Sequence, residues 1–386
     1  MQKSVADIRD CYGCGVCVAA CPHRVLELKH DKHGFYAPTI VNEKACTDCG
    51  ICRNVCSYVD DALAVNQPVQ EWHAMWSKDA DVRNVCSSGG VAFEIAKKAI
   101  EEGYVVVGVR YNAEQHRAEH CLCETVEELK ATRGSKYIQS FTTDAFAQLD
   151  RKKKYMVVGT PCQIDSMRRW IKQRKIEDNF VLMDFFCHGV PSYWVWKKYV
   201  KDYLGKEKLT EVAFRSKKNA KTGEQVPWHK SFLISAESKN NAIQPNINKH
   251  DWFYHYFLED LSLGKACYER CKFKMYLSSA DIRIGDAWGS AYDKNEDGVS
   301  AVLTFTNKGK AWLEQCGNLE KENITLDLLC EGQMHEAPYM PKHYALRLWL
   351  VRHTLLRLEQ VDKLIERVEW LKRRCKRICR IGRWVY

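Results

Sequence analysis

The alternation of apolar and polar positions predicts an α/β unit in the middle of the chain. Val91 to Glu102 has the spacing of an amphipathic helix, and Tyr104 to Val109 is a short apolar run typical of a buried strand. Thr125 and Glu128 have the capping-box spacing that begins a short helix. A further strand is predicted over Ala280 to Ile284. Helices and strands therefore alternate through this region.

The clearest pattern is a strand-helix-strand-helix repeat that starts near residue 155. Consecutive strands joined by a helix lie parallel, so both strand-to-helix turns should meet at the carboxyl edge of the sheet, where ligands bind. The elements in order are strand Tyr155 to Val158, turn Gly159-Thr160-Pro161-Cys162, a helix through Arg174, strand Phe180 to Phe186, turn Cys187-His188-Gly189 and a helix from Pro191.

The two ends of the chain differ from this middle region. Residues 1–66 are rich in Cys and punctuated by Gly, whereas residues 209–249 are polar and predict strands around a mobile loop. The last stretch, residues 342–386, has an amphipathic helical pattern. We expect an α+β fold in four parts. Their bounds are 1–66, 67–145, 146–340 and 341–386.

Charge and composition narrow the class of protein. The apolar stretches are all shorter than a membrane span, and residues 1–10 mix charges where a signal peptide would be apolar, so we expect a cytoplasmic protein. The net charge is +10, but residues 342–386 alone hold 13 Lys and Arg against 4 Asp and Glu. Because the basic character belongs to the end of the chain, nucleic acid is not expected as a partner.

The 19 cysteines include two copies of a spaced group that predict two [4Fe-4S] clusters. In the spacing C-x2-C-x2-C-x3-C, three thiolates hold one cluster and the fourth binds the other. Cluster one is then expected on Cys11, Cys14, Cys17 and Cys56, and cluster two on Cys46, Cys49, Cys52 and Cys21. Pro22 follows the first copy, and Ser57 follows the second. Structural zinc is the alternative, although zinc sites usually space their cysteines as two separated pairs.

A second group of four cysteines lies where the predicted sheet edge would bring side chains together. They are Cys162, Cys187, Cys267 and Cys271. Two of them follow neighbouring parallel strands, so the group could hold a third [4Fe-4S] cluster, or some members are buried free thiols. Cys121 and Cys123 alternate on a predicted strand, so packing on one face is expected for them.

The same edge carries small-residue turns that could bind an anion. Ser88-Gly89-Gly90 and Gly159-Thr160-Pro161 each open a helix, whose positive end favours phosphate, but simple N-capping also explains such turns. A further segment either binds a dinucleotide or is a solvated loop: Arg133-Gly134-Ser135-Lys136-Tyr137. His188 is a candidate catalytic donor to a cofactor or substrate, or a structural residue.

The basic C-terminal segment has its own candidate chemistry. Trp370 and Trp384 lie among its charges, and Cys375 and Cys379 are one helical turn apart. A basic helix with such rings fits an anionic membrane surface or an acidic partner, or has no specific role.

Several motifs in the same order resemble the beta subunit of coenzyme F420 hydrogenase/dehydrogenase and its bacterial relatives. They are Ser87-Ser88-Gly89-Gly90-Val91, Arg133-Gly134-Ser135-Lys136-Tyr137, Gly159-Thr160-Pro161-Cys162-Gln163, Cys187-His188-Gly189-Val190-Pro191, the segment Cys267 to Lys274, and Ala280 to Asp286. The resemblance implies an α/β flavin-binding catalytic region in which the first three motifs, through Gln163, line FAD. It also implies that Cys162, Cys187, Cys267 and Cys271 hold a third [4Fe-4S] cluster.

The resemblance predicts an iron-sulfur flavoprotein oxidoreductase. Electrons would pass between a ferredoxin or similar redox partner, the clusters and FAD, with hydride transfer to or from coenzyme F420 or another small organic acceptor. A non-catalytic electron-transfer subunit of a larger redox complex is the alternative. A third hypothesis is a zinc-bearing nucleic-acid-binding protein, which requires zinc instead of iron.

Overall fold

A mixed β-sheet forms the framework of the protein. The computed structural model describes residues 4–205, 208–219, 222–239, 241–243 and 251–381, with side chains up to residue 374 in the last range. The strands in chain order are β1 Leu26–His30, β2 Tyr36–Ile40, β3 Glu71–Ser77, β4 Tyr104–Asn112, β5 Arg117–Cys123, β6 Ser140–Phe141, β7 Lys154–Val158, β8 Phe180–Phe185, β9 Leu209–Ala213, β10 Ser235–Ser238, β11 Ala242–Ile243, β12 Ile282–Asp286, β13 Ser300–Thr304 and β14 Leu319–Glu322.

The helices lie between these strands and at the two ends of the chain. They are α1 Val16–Ala20, α2 Ile51–Asn54, α3 Ala80–Val85, α4 Val91–Glu101, α5 Val126–Lys130, α6 Thr143–Phe146, α7 Pro161–Gln173, α8 Tyr193–Tyr203, α9 Trp252–Leu258, α10 Lys265–Glu269, α11 Asn307–Gln315, α12 Leu326–Leu329, α13 Tyr344–His353 and α14 Leu358–Ile381. Across the described ranges, every helix is too short or too polar to cross a membrane.

The large sheet has the order β14-β3-β13-β12-β8-β7-β4-β5-β6. Its central strands β4, β7, β8 and β12 are parallel, which confirms the predicted strand-helix-strand-helix repeat. The strand predicted over Ala280 to Ile284 begins two residues later, at Ile282. The reason is that the Asp281 carboxylate accepts the Leu182 N–H (2.8 Å), so a side chain takes the place of a strand partner.

The two cysteine motifs fold in the same local conformation. Gly15 and Gly50 both have φ of 76°, and each is the N-cap of a short helix, α1 and α2. A residue with a β-carbon would be strained at this φ, so glycine is required where the loop turns into the helix. The repeat seen in the sequence is therefore a repeat in the backbone as well.

The C-terminal helices pack on the body of the protein. Leu348 and Val351 of α13 and Leu358 and Val361 of α14 are buried in one core with α8 and α9. The single amphipathic helix predicted for this segment is two helices, because Thr354 leaves the helical conformation. Trp384 and the side chains of Cys375 and Cys379 lie outside the described residues.

Candidate iron-sulfur and cofactor site

The first cysteine group surrounds one small cavity. Cys11, Cys14, Cys17 and Cys56 all line it, and Cys17 and Cys56 are buried. Burial, followed by the nearby thiols, raises the pKa of Cys14 to about 11, and burial also raises that of Cys11 to about 12. Four desolvated sulfurs around one space fit a cluster whose positive irons would stabilise thiolates there.

The second cysteine group lies nearer to solvent. Cys49 is exposed, and Cys21, Cys46 and Cys52 are half-buried. Cysteines with described side chains are all free thiols. Among the described side chains, no three Cys, His, Asp or Glu residues are close enough to hold a single metal ion.

Ser57 joins the first cysteine group to α7, the helix between β7 and β8. Its backbone N–H donates to Ser166 Oγ (3.1 Å), and its hydroxyl donates to the Cys162 carbonyl (3.2 Å). The Cys14 thiol donates to the same Ser166 Oγ (3.4 Å). Pro22 is the equivalent residue in the first motif, and a proline has no N–H to donate. Serine in place of proline at this position therefore supplies the N–H that contacts α7.

The structure brings the later cysteines together at the carboxyl edge of the sheet. Cys187 follows β8, Cys162 is the second residue of α7, and Cys267 lies in α10. Burial and the neighbouring thiols raise the pKa of Cys267 to about 12, and those neighbours include Cys187 and Cys271. Burial also raises the pKa of Cys162 and Cys187. A half-buried set of four thiols fits an iron-sulfur cluster.

Lys274 is a buried cation beside this group that the sequence reasoning did not single out. Its ammonium donates to the carbonyls of Cys187 (2.7 Å) and His188 (3.0 Å). It therefore fixes the turn that follows β8. The feature of the sequence that could have identified Lys274 is its position three residues after Cys271, inside a segment noted for its cysteines.

A cavity of about 600 Å³ opens at the same edge. This volume is within the range of cofactor pockets. Eleven of the thirteen residues expected to bind a cofactor line it, together with His188 and Cys187. The eleven are Ser87, Ser88, Gly90, Arg133, Gly134, Ser135, Lys136, Tyr137, Gly159, Thr160 and Gln163. Gly89 and Pro161 do not line it: the Gly89 N–H is turned to Ser300 Oγ (3.1 Å), and Pro161 is buried at the start of α7.

The polar turns around the cavity are held by internal hydrogen bonds. Ser135 N–H donates to Ser87 Oγ (2.8 Å), which joins two of the predicted motifs. The Lys136 ammonium donates to three backbone carbonyls of residues 132–134 at 2.8 to 3.1 Å. Burial lowers the pKa of Lys136 to about 8. Lys136 therefore organises its own turn. The turn before α7 is held in a similar way: the Thr160 N–H donates to Gln163 Oε1 (2.9 Å) in a capping box.

One wall of the cavity is aromatic. Phe232 and Trp288 stack with ring centroids 5.7 Å apart, and the Arg215 guanidinium lies over both rings, at 4.7 and 5.3 Å. Arg215 also pairs with Asp286 at the end of β12. Arg215 and Phe232 come from the polar region whose sequence pattern was uninformative. Their contribution depends on tertiary contacts that the pattern does not report.

His188 lines the cavity and has a specific hydrogen-bond partner. Its Nε2 is 2.8 Å from Asp260 Oδ1, and its ring lies 4.8 Å from that of Phe257. Asp260 fixes the orientation of the imidazole.

The cysteine pair of β5 lies apart from His188. Cys121 and Cys123 share a face of β5, as expected, with their sulfurs 3.9 Å apart.

The paired cysteine motif and the cavity define an iron-sulfur redox protein built on a mixed sheet. Comparison with known protein families supports this class, because residues 10–59 match a 4Fe-4S dicluster domain. Residues 72–146 and 152–334 match the N-terminal and C-terminal parts of the coenzyme F420 hydrogenase/dehydrogenase beta subunit. The chain therefore belongs to that family, and the family is related to oxidoreductases.

The similar proteins are distant in sequence. Coenzyme F420 hydrogenase subunit beta of Methanococcus voltae is 29% identical over 255 residues, which cover 60% of this chain and 81% of that protein. Coenzyme F420-dependent sulfite reductase of Methanocaldococcus jannaschii is 26% identical over 43% of this chain, and the match spans 26% of the reductase. A chain of the F420-reducing [NiFe] hydrogenase complex from Methanosarcina barkeri aligns over 79% of this chain and 93% of that chain, with 16% identity and a TM-score of 0.48.

Proposed function

We propose that this protein is an iron-sulfur flavoprotein oxidoreductase that exchanges electrons between its dicluster domain and FAD held in the large cavity. The observation that carries the proposal is the contact of Ser57 and Cys14 with Ser166 of α7, the helix that carries Cys162 at the cavity edge. The first cysteine group, the later group and the cavity are thereby adjacent. Such adjacency is what successive electron transfers require.

The residues at the cavity suit a flavin dinucleotide. Gly90 is the N-cap of α4, and Val91 opens that helix at the cavity, where the unpaired N–H groups of the first turn favour a phosphate. Phe232 and Trp288 add aromatic surface to the cavity wall, which suits contact with a ring system. Bound FAD would supply the conversion between single-electron and hydride chemistry. His188, oriented by Asp260, would hold the proton that accompanies reduction of the acceptor.

Cofactor content of anaerobically purified protein tests this proposal. We expect about twelve irons and one flavin per chain, because three cubes contain four irons each. Cys162→Ser should lose about four irons, since it removes one ligand of the later cysteine group. Cys330→Ser is the matched control: Cys330 is buried but lies outside all three cysteine groups. About eight irons without flavin would contradict the proposal and would favour a non-catalytic electron-transfer subunit.

The acceptor is proposed from the relatives. Their names make coenzyme F420 the first acceptor to assay, with another organic acceptor as the alternative. Reduced ferredoxin as donor should support bleaching of F420 absorbance by the wild type. His188→Gln should slow this reaction while flavin content stays unchanged. Unchanged turnover in the variant would remove His188 from the mechanism.

A further inference from the structure

The C-terminal helical hairpin, which comprises α13, α14 and the turn between them, concentrates exposed apolar side chains. Within the described residues, twelve large apolar side chains are prominently exposed, and six of them belong to the hairpin. These are Leu346, Trp349, Leu355, Leu364, Trp370 and Leu371. Half of the exposed apolar groups thus fall in a short part of the chain, which marks an interaction surface.

The hairpin is fixed to the body, so its exposed side is defined. Leu358, Val361 and Ile365 form the buried stripe of α14. At 100° per residue, the opposite side of this helix carries Lys363, Arg367, Trp370 and Arg374, spaced by four, three and four. All four of these side chains are exposed.

Three of the four acidic residues of α14 contact groups of the protein body, and the fourth, Glu366, is exposed. Glu359 accepts the Tyr203 hydroxyl. Asp362 contacts His255 (3.2 Å) and Arg347 (3.3 Å).

Glu369 is likewise paired with His343. Lys363, Arg367 and Arg374 still outnumber the single exposed carboxylate of Glu366, so the outward side of α14 is positively charged. The arrangement also mixes charge with an aromatic ring, because the Arg374 guanidinium lies 4.9 Å from the centroid of Trp370.

We infer that the outward face of the hairpin, formed by Lys363, Arg367, Trp370 and Arg374 with Leu371 beside it, binds the anionic surface of a phospholipid bilayer. Positive charge complements anionic headgroups, and an indole ring is suited to the headgroup level. The helix lies along the membrane surface, since its opposite side is packed on the protein. This inference does not depend on the proposed redox reaction.

Co-sedimentation of the full-length holoprotein with vesicles tests the inference. Vesicles of phosphatidylcholine are compared with vesicles that also contain phosphatidylglycerol, at low and high salt. We expect binding only to the anionic vesicles, weakened by salt. Lys363→Gln, Arg367→Gln and Arg374→Gln together should weaken it about a hundredfold, from about fivefold per charge. Trp370→Ser with Leu371→Ser should weaken it as well.

Control variants test whether vesicle binding depends on this face or only on positive charge and exposed apolar groups anywhere on the protein. Lys152→Gln with Lys172→Gln removes exposed charges elsewhere, and Leu277→Ser removes an apolar side chain of 46% exposure. Both should bind vesicles as the wild type does. Substitutions are used because deletion from residue 342 onward would remove Leu348 and Val351 from the core.

Four results would overturn the inference. They are equal binding to neutral vesicles, absence of binding to either vesicle, unchanged binding of the triple variant, and equally strong capture by soluble polyglutamate. The last result would assign the face to an acidic protein partner. Iron content and thermal unfolding of each variant verify that the fold is retained.

Discussion

Arg283 is the residue whose removal should most severely disturb the cavity without touching a predicted ligand. Its side chain and that of Asp184 are both fully buried, and they form two parallel bonds of 2.8 and 2.7 Å. Arg283 also donates to the carbonyls of Phe273 (3.2 Å), Met275 (2.6 Å) and Leu277 (3.1 Å). One guanidinium therefore joins β8, β12 and the segment that forms part of the cavity wall.

The expected magnitude follows from this burial. Arg283→Met leaves the Asp184 carboxylate without its counter-ion, and loss of one partner of a buried pair costs about 3–5 kcal/mol. Ser278 Oγ still donates to that carboxylate (2.7 Å), so the lower part of the range is expected. The double variant Arg283→Met, Asp184→Leu removes both charges. It should regain only part of the lost stability: apolar replacement of a buried pair is often neutral, but the three carbonyls that Arg283 paired stay without a donor.

Urea unfolding of the two single variants and the double variant measures this effect as a double-mutant cycle. Flavin content of each variant reports the cavity separately. We expect the double variant to recover part of the lost free energy of unfolding but not flavin, since the three carbonyl contacts of Arg283 remain lost. A single variant destabilised by less than about 1 kcal/mol would refute the reasoning, because that value is typical of an exposed pair.

Three further predictions concern single residues. Ser57→Pro should slow electron transfer from the dicluster domain, because it removes the N–H that donates to Ser166; unchanged reduction rates in stopped flow would contradict it. Burial lowers the pKa of His120 from 6.5 to about 4, so the unfolded chain binds more protons between these values and stability should fall as pH drops through this window. His120→Phe should flatten that dependence in unfolding measured from pH 4 to 7, and a retained slope would assign it elsewhere. The hydrogen bond from Cys123 lowers the pKa of the Cys121 thiol. Mass spectrometry should therefore find faster alkylation at Cys121 than at Cys123, and equal alkylation rates of the two thiols would argue against this lowered pKa.

The parallel strands and the cysteine repeat were predictable because both are local patterns. An apolar run followed by a small-residue turn and a helix specifies β7, α7 and β8 without knowledge of distant contacts. Equal cysteine spacing likewise specifies two equal loops, as Gly15 and Gly50 show. Agreement was therefore best where local propensity and tertiary structure favour the same conformation.

The remainder of the site depends on contacts between distant segments. Arg215 and Trp288 are separated by more than seventy positions, and the sequence gives no sign that the guanidinium lies over the indole of the cavity wall. Lys136 was expected to offer its charge to a ligand, yet its three carbonyl bonds are made within its own turn. The sequence identifies residue types at an edge but not which of their donors are already used.

The difference in burial between the cysteine groups favours one order of electron flow. Cys49 is exposed, whereas Cys17 and Cys56 are buried next to α7. Because Cys49 is exposed, a redox partner can approach the second cysteine group closely, so under the proposed function electrons enter or leave at the cluster expected on Cys46, Cys49, Cys52 and Cys21. Ser57 connects the first cysteine group to Cys162, so the cluster expected on Cys11, Cys14, Cys17 and Cys56 would serve as the relay to the cavity. The same contacts operate in either direction, and the donor and acceptor potentials then decide which direction is used.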